Sequence, residues 1–561
     1  MSTHVGGRME TVAPIRVTDW SDRVRLLGLV LTALLLHAWL IRNSVMTARD
    51  SLGFAQLALN LAHPSGDPAK PVARTLPDVL KEAKQPPAYP ATIYATYYVL
   101  HRIDPPENRS EFSIDLLLRA AQIAAAGAMI LAVFPMYWLG RMLLDKNRSF
   151  AAVLLFQFLP VAARDTSDGL SEGLYFLGFA TALALGVAGL RKESIGRFLL
   201  CGIASGLTYL VRPEGLAVTL GVAIVLVGLA VLKWRPRVNM LACTAALFIG
   251  TGISAAPYML LIGGLTNKPS GKQAIEGAPS EPMRTRFGQN VLNGPIFAEQ
   301  NTDPDRGSGL QKASAVGRTM TREYLQASHY GIGILGVLGC VLIRKRFRSQ
   351  PEWIILLATV GVHLVALARV AYSQGYASER HLLTAAFVAT YFTMAGFEPL
   401  FAWFARRPII GGFYRRPAAT WVWVAILVAV CVPSLSKPMH QNRIGFKQAG
   451  EFLADVIQPE DRLTDPYEWS QYYAKRTTYQ PPVAEERFVE YAVLRNGGDA
   501  EDKRLNQDVV DQAKRVANDP RSKQVWPTDA DGVPVEDAKI KVYRFDNRLA
   551  LGAIFGGPGY R

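Results

Sequence analysis

A series of long apolar stretches constrains this chain more than any other feature. Near-continuous hydrophobic sequence occupies residues 24–45, 115–140, 149–163, 173–190, 197–211, 214–233, 240–263, 330–344, 352–372, 381–405 and 418–434. Many of them approach the roughly 20 residues with which an α-helix crosses a hydrocarbon core about 30 Å thick. No water in that core can satisfy a free backbone N–H or C=O, so a single stretch can cross only as a helix. The sequence therefore predicts an all-α polytopic membrane protein of about eleven transmembrane helices. Composition agrees: only 19% of the residues are charged, where a soluble chain carries about a quarter.

The formal net charge of +15 raises the question of nucleic acid, and its distribution answers it. The cations sit between apolar stretches, at Arg16/Arg23/Arg25, Arg141/Lys146/Arg148, Arg191/Lys192/Arg197, Lys233/Arg235/Arg237, Arg344/Lys345/Arg346/Arg348 and Arg406/Arg407/Arg415/Arg416. Basic patches interleaved with aromatics, as bases would require, are absent, so no nucleic-acid partner is expected. Short basic loops mark the cytoplasmic side, and eleven crossings put all six clusters there. Residues 1–23 are then a cytoplasmic segment, 24–435 the membrane domain, and 436–561 lie outside the cell membrane. Segments 46–114 and 264–329 become large external loops, the second polar and long enough for a lid or binding loop. In a bacterial cell this is the inner membrane, with the soluble mass and the active site on the periplasmic face. Residues 90–103 are apolar but short and carry three tyrosines, which fits a helix lying in the interface.

The first apolar run lacks a small-residue cleavage site and reads as an anchor. Cys201, Cys243, Cys340 and Cys431 all fall inside apolar stretches without CxxC spacing, which is the pattern of small core residues. Past Ser436 the composition changes. Residues 446–457 have helical apolar spacing, 487–494 and 539–544 read as strands, and 506–518 as a polar helix between them, giving a small soluble α/β domain. No internal repeat is visible, which argues mildly against a secondary transporter.

Ionisable residues cluster on the outer side. Arg49 and Asp50 follow the first span, where Asp50 is either a base toward a substrate at the membrane surface or a helix-boundary charge paired with Arg49. Residues 164–172 carry Asp165, Asp168 and Glu172. If Asp168 and Glu172 are both helical they share a face, and with Asp50 they could share acid/base work or hold a divalent metal. Arg212 and Glu214 sit between two apolar blocks, as an ion pair or an anion site. Arg380 can fork to a phosphate at headgroup depth, with His381 beside it as donor or ligand. Gln85-Pro-Pro-Ala-Tyr89-Pro turns its loop back toward the membrane.

Taken in order, Arg49-Asp50, Gln85-Pro-Pro-Ala-Tyr-Pro90, Ser171-Glu172, Tyr209-Leu-Val-Arg-Pro-Glu-Gly215 and Glu379-Arg-His-Leu-Leu383 resemble the GT-C superfamily of glycosyltransferases. The closest branch is the protein O-mannosyltransferases and aminoarabinose transferases. The resemblance covers about residues 20–435. It implies a catalytic carboxylate at Asp50, a second acidic site residue at Glu172, and Arg212 and Arg380 as candidates for a lipid phosphate. Arg49, Asp168, Glu214, His381, Gln85 and Tyr89 complete the candidate substrate-binding set. The implied reaction moves a sugar from a polyprenyl-phosphate donor to an acceptor protein, glycan or lipid, with inversion. Two positions depart from the branch: Ser51 stands where a second acid often follows the catalytic one, and His381 where a tyrosine is frequent. Two other readings remain open from the residues alone: a transporter or lipid flippase, and a non-catalytic membrane assembly protein that binds partners through its C-terminal domain.

Overall fold

The computed structural model describes residues 19–64, 75–103, 113–268, 271–272, 309–374, 377–416, 418–458, 460–475, 488–496, 505 and 507–546. The basic residue Arg16, most of the 264–329 loop and the start of the strand expected at 487 lie outside them. Each of the eleven apolar stretches is helical. Among the described residues eight helices are long and apolar enough to cross a membrane: Trp20–Arg42 (α1), Ile114–Leu143 (α5), Glu172–Lys192 (α8), Pro213–Val231, which contains α10 (Leu216–Val231), Arg237–Ile262 (α11), Glu352–Ser373, Glu379–Phe404 and Ala418–Leu435. The other three stretches are shorter. Residues 149–163 divide into Lys146–Phe158 (α6) and Pro160–Asp165 (α7), because Pro160 has no N–H to continue the ladder. Ile195–Tyr209 (α9) has 15 residues. Gly331–Leu342 meets Gly309–Ala327 (α12) at 106°.

These helices expose what a soluble fold would bury. Leu27, Leu31, Leu34 and Leu35 lie open on α1, and Leu220, Ile224 and Val231 on α10. Rows of exposed apolar residues on long helices are the faces that meet lipid. The molecule is thus a multi-pass membrane protein. Helices approach closely where side chains are small: a Cβ on Gly202 or Gly250 would lie 2.0 or 2.1 Å from the Leu247 or Leu199 carbonyl oxygen, so α9 and α11 touch backbone to backbone.

One end of the bundle collects the cations. Arg148 and Arg346 share Glu398 at 2.6 and 2.7 Å, Arg191 pairs with Glu352 at 3.2 Å, Arg235 with Glu193 at 2.9 Å and Arg141 with Asp22 at 3.1 Å. The Asp145 carboxylate also caps the first N–H groups of α6 at this end, as an acid at a helix start should. Helix α8 leaves this end at Arg191 and begins at Glu172, about 30 Å away at 1.5 Å per residue.

At that opposite end the stretch 46–114 folds into Arg49–Ala62 (α2), Leu76–Glu82 (α3) and Ala88–Ile103 (α4). Helix α4 stays beside the first turns of α5: the Tyr89 hydroxyl donates to the Ala121 carbonyl at 3.0 Å, and Tyr97 meets the backbone of Ser113. Only the first two turns of α5 separate those contacts, so α4 does not run the length of the bundle. In the other loop, 264–329, the stretch Gly309–Ala327 is a helix.

Beyond residue 435 come Ile444–Val456 (α13), Trp469–Tyr473 (α14) and Gln507–Asn518, with a four-stranded sheet of order β1-β2-β4-β3. The strands are Arg462–Thr464 (β1), Val489–Arg495 (β2), Lys523–Trp526 (β3) and Ile540–Asp546 (β4). β1 pairs with β2 in parallel, and β4 pairs with β2 and β3 antiparallel. The small α/β domain expected there is present.

Candidate active site

The candidate site lies at the end of the bundle away from the cation clusters, where α2 starts. Asp50 occupies the first turn of α2. Its Oδ2 meets Arg380 Nη2 at 2.5 Å, so its partner is Arg380, 330 residues away, rather than its neighbour Arg49. Burial pushes the Asp50 carboxyl up, but the Arg380 guanidinium outweighs this and, with Lys268 and Arg49, holds it below its ordinary value. Asp50 is therefore an ionised, partly buried carboxylate. Ser51 is fully buried and its hydroxyl bonds back to the Ala48 carbonyl, so the position where an acid often stands does not face the site.

A second ion-pair cluster adjoins the first. Arg212 pairs with Glu172 at the start of α8 and with Glu214 at 3.4 Å. The Arg212 guanidinium also lies 5.7 Å from the Tyr175 ring centre, and the Tyr175 hydroxyl is 3.3 Å from that of Thr384. Burial opposes the Arg212 charge, and Glu172 and Glu214 more than restore it, so its affinity for a proton rises. Glu172, Tyr175, Arg212, Glu214, Arg380 and Thr384 line one narrow cavity, with His363 and His381. The Glu214 Oε2 atom in this cluster is buried without a hydrogen-bond partner among the described residues.

The turn before α8 separates the acids that the sequence grouped. Gly169 has φ +72°, and a Cβ there would sit 3.2 Å from the Cβ atoms of both Ser51 and Ala121. Only glycine fits this close left-handed turn. The helix is broken, so Asp168 and Glu172 do not share a face as their spacing suggested. Asp168 instead accepts the Ala48 N–H at 2.9 Å and meets His440 Nε2 at 2.7 Å. Asp165 is raised well above its usual value by burial and by Glu172.

The remaining expected residues serve the frame. Arg49 turns away from Asp50 to Glu468 of the C-terminal domain at 2.8 Å. The Tyr89 hydroxyl is committed to Ala121, and its ring packs edge-on against Phe54 at 5.1 Å. Gln85 lies in the turn before α4, whose Ala88 N–H is held by the Leu210 carbonyl at 3.0 Å, two residues before Arg212. The His381 Nδ1 atom caps its own turn through Ser378 at 3.1 Å, and the His381 carbonyl accepts from His363 at 2.8 Å. Among the described residues no three His, Cys, Asp or Glu side chains converge on a metal position. Asp50, Asp168 and Glu172 each face a different cation or donor, so these carboxylates as arranged do not fit a shared metal.

Sequence reasoning missed several participants. Lys268, six residues past α11, is near enough to Asp50, Glu214, Arg212 and Arg380 for each charge to act on it, and burial lowers its proton affinity. A lysine on the cation-poor side of the charge pattern was the available signal. The C-terminal region was the larger omission. The Met439 N–H donates to the Asn43 carbonyl at 3.2 Å, the Val45 N–H to the Met439 carbonyl at 3.3 Å, and Trp469 Nε1 to the Thr47 carbonyl at 3.3 Å. With Arg49–Glu468 and Asp168–His440, these contacts fasten the segment carrying Asp50 from two sides.

No protein-family model matches the sequence, and no curated protein does. Solved structures do resemble the fold. The oligosaccharyltransferase of Archaeoglobus fulgidus, tethered with an acceptor peptide containing the NVT sequon, aligns with a TM-score of 0.51 at 15% identity over 82% of this chain and 64% of its own. The same enzyme with an inhibitory peptide and a dolichol-phosphate gives 0.50 at 14%, over 83% and 61%. This chain thus spans less than two thirds of that protein. ArnT from Cupriavidus metallidurans in the apo state gives 0.51 at 13% identity, over 95% of this chain and 99% of its own. At such identities the likeness is one of fold, and it is the GT-C architecture that the ordered motifs pointed to.

Proposed function

We propose that the protein is a glycosyltransferase that moves a sugar from a polyprenyl-phosphate-linked donor to an acceptor at the membrane surface, with Asp50 as the base. The Asp50–Arg380 pair carries the reading: an ionised carboxylate and a guanidinium held together, beside a cavity, at the end of the bundle opposite the basic clusters. By the positive-inside rule that end is extracytoplasmic. Fold neighbours that bind dolichol-phosphate and an acceptor peptide support the choice of substrates.

In this mechanism Asp50 takes the proton of the acceptor hydroxyl as its oxygen attacks the anomeric carbon. The bond from that carbon to the donor phosphate breaks, and the polyprenyl phosphate leaves with the electron pair. Negative charge grows on the phosphate as it departs. Arg380, released from Asp50 once the carboxylate is protonated, is the nearest guanidinium to receive it, with Lys268 and Arg212 behind. Fixed cations at a developing charge stabilise the transition state without reorganising. Displacement in one step inverts the anomeric centre and needs no covalent sugar–enzyme intermediate. The free Glu214 oxygen is placed to accept a sugar hydroxyl. The acids of the site sit at the end of the bundle, which favours surface chemistry over a transport path, where acids would lie at mid-span.

The test is transfer from a labelled polyprenyl-phosphate sugar by the purified protein in lipid. Asp50→Asn should abolish turnover while the protein still folds and binds donor. Full activity in that variant would remove Asp50 from the mechanism.

A further inference from the structure

A second, larger cleft of about 450 Å³ lies at the junction of the membrane and C-terminal domains. It is walled by the exit of α1 (Arg42), the first turns of α5 (Asp115, Arg119 and Gln122) and α13 (Lys447), and Thr47 forms part of its lining. It shares no lining residue with the cavity that holds Arg212 and Arg380. The mechanism above uses none of its side chains.

Three features give the cleft a chemistry. Lys447 is paired with Asp115 at 3.3 Å, so that carboxylate is already answered. Arg42 and Arg119 have no ion-pair partner among the described residues and are exposed, which leaves a net charge of plus two facing the cleft. Thr47 is 3% exposed and its Oγ1 is buried without a partner among the described residues, and the lining amide of Gln122 is 7% exposed. A buried hydroxyl without a partner is unfavourable, which a ligand oxygen at this wall would offset. Ser44 and Ser113 add hydroxyls to the lining. Two forked guanidinium groups beside neutral donors suit a tetrahedral oxyanion, and a phosphate monoester carries about −1.5 to −2 at pH 7.

We propose that this cleft binds a phosphate-bearing group, in which Arg42 and Arg119 hold the phosphate and Thr47 and Gln122 meet polar atoms attached to it. The source is either a soluble sugar phosphate or the headgroup of an anionic lipid, since Arg42 ends a span at the membrane boundary. Because Thr47 lies three residues before Asp50, the site adjoins the segment that carries the base, but binding itself requires no turnover.

Isothermal titration of glucose 1-phosphate into the full-length protein, in nanodiscs of phosphatidylcholine alone, tests the site directly. The expected result is saturable binding that weakens at least fivefold in Arg42→Gln/Arg119→Gln, and also in Thr47→Val, with melting temperatures retained. Asp50→Asn and Arg380→Gln should leave it unchanged, which separates this cleft from the transferase site whatever that site does. A second arm repeats the titration with phosphatidylglycerol in the nanodisc. Competition that disappears in Arg42→Gln/Arg119→Gln assigns the cleft to a lipid headgroup, and no competition assigns it to a soluble phosphate. The proposal is overturned if the sugar phosphate does not bind in phosphatidylcholine, or if binding survives Arg42→Gln/Arg119→Gln and is lost in Arg380→Gln.

Discussion

Asp50 and Arg380 set each other's charge state, and this fixes how the site should respond to pH. A carboxyl held below its ordinary value in the folded protein adds stability above the unfolded pKa, and the gain is lost as pH falls through the lower folded value. The acid limb of kcat/KM should therefore lie below the ordinary carboxylate range, with activity flat from pH 7 down to about 5. Arg380→Gln leaves burial as the main influence on Asp50. Its acid limb should move upward, kcat should fall by at least 10², and stability at neutral pH should drop toward the lower end of the about 3–5 kcal/mol lost when a buried pair is broken. A pH–rate profile of the variant that overlays the wild type would show the pairing to be irrelevant. Which of these residues sequence could name followed a simple physical division. Asp50, Glu172, Arg212 and Arg380 stand beside apolar stretches, where a charge is expensive and so informative. Lys268, His440 and Glu468 sit in polar surroundings, where a charge costs little, and only tertiary contacts bring them to the site.

Among elements, α14 and the turn before it fasten the start of α2 to the C-terminal domain, through Arg49–Glu468 and the Trp469 indole on the Thr47 carbonyl. Glu468 adopts φ +68°, an unfavourable conformation for a side chain with a Cβ, and the Asp465 carboxylate fixes this turn by accepting from the Tyr467 and Gln471 N–H groups at 2.9 Å each. Glu468→Gln loosens Arg49 and with it the first turn of α2, so kcat should fall about tenfold with little change in donor KM. Glu468→Asp should recover part of the loss if position rather than bulk charge is what matters. Burial pushes Asp465 up to about 6 against its backbone hydrogen bonds. A raised folded pKa gives stability that is whole below the unfolded value near 3.8 and declines as pH climbs through 6. Melting curves of wild type and Asp465→Asn should accordingly differ in slope between pH 4 and 6, by at most about 3 kcal/mol over the window. The same turn explains what the sequence concealed at this scale. Long apolar helices announce themselves by length, whereas β1 and α14 have three and five residues, too few to show a period. Helix α12 was hidden by its polarity, since it packs beside the bundle without a fully apolar face.

At the scale of the whole molecule, charge separates by end: the ion-paired cation clusters at one, the acids of the site and the C-terminal domain at the other. Labelling of single cysteines in a cysteine-less background should therefore sort into two sets. Arg102→Cys and Asp529→Cys should react from the face opposite Lys345→Cys and Arg407→Cys. Arg102→Cys reacting together with Lys345→Cys would mean that α4 crosses the membrane and that the site does not exist as described. The pairing of residues 43–45 with Met439 has a further meaning when the chain is considered in time. The segment leading into Asp50 emerges with the first span, yet its backbone partner follows the last one, nearly 400 residues later. At about 5–20 residues per second, ribosomes need on the order of 20–80 s to supply it. During that interval Asp50 has no Glu468-anchored arginine beside it, no His440 behind Asp168, and no Arg380 until most of the bundle has inserted. On the proposed function, a nascent or truncated chain in the membrane is inactive, because the site is assembled only when the protein is complete.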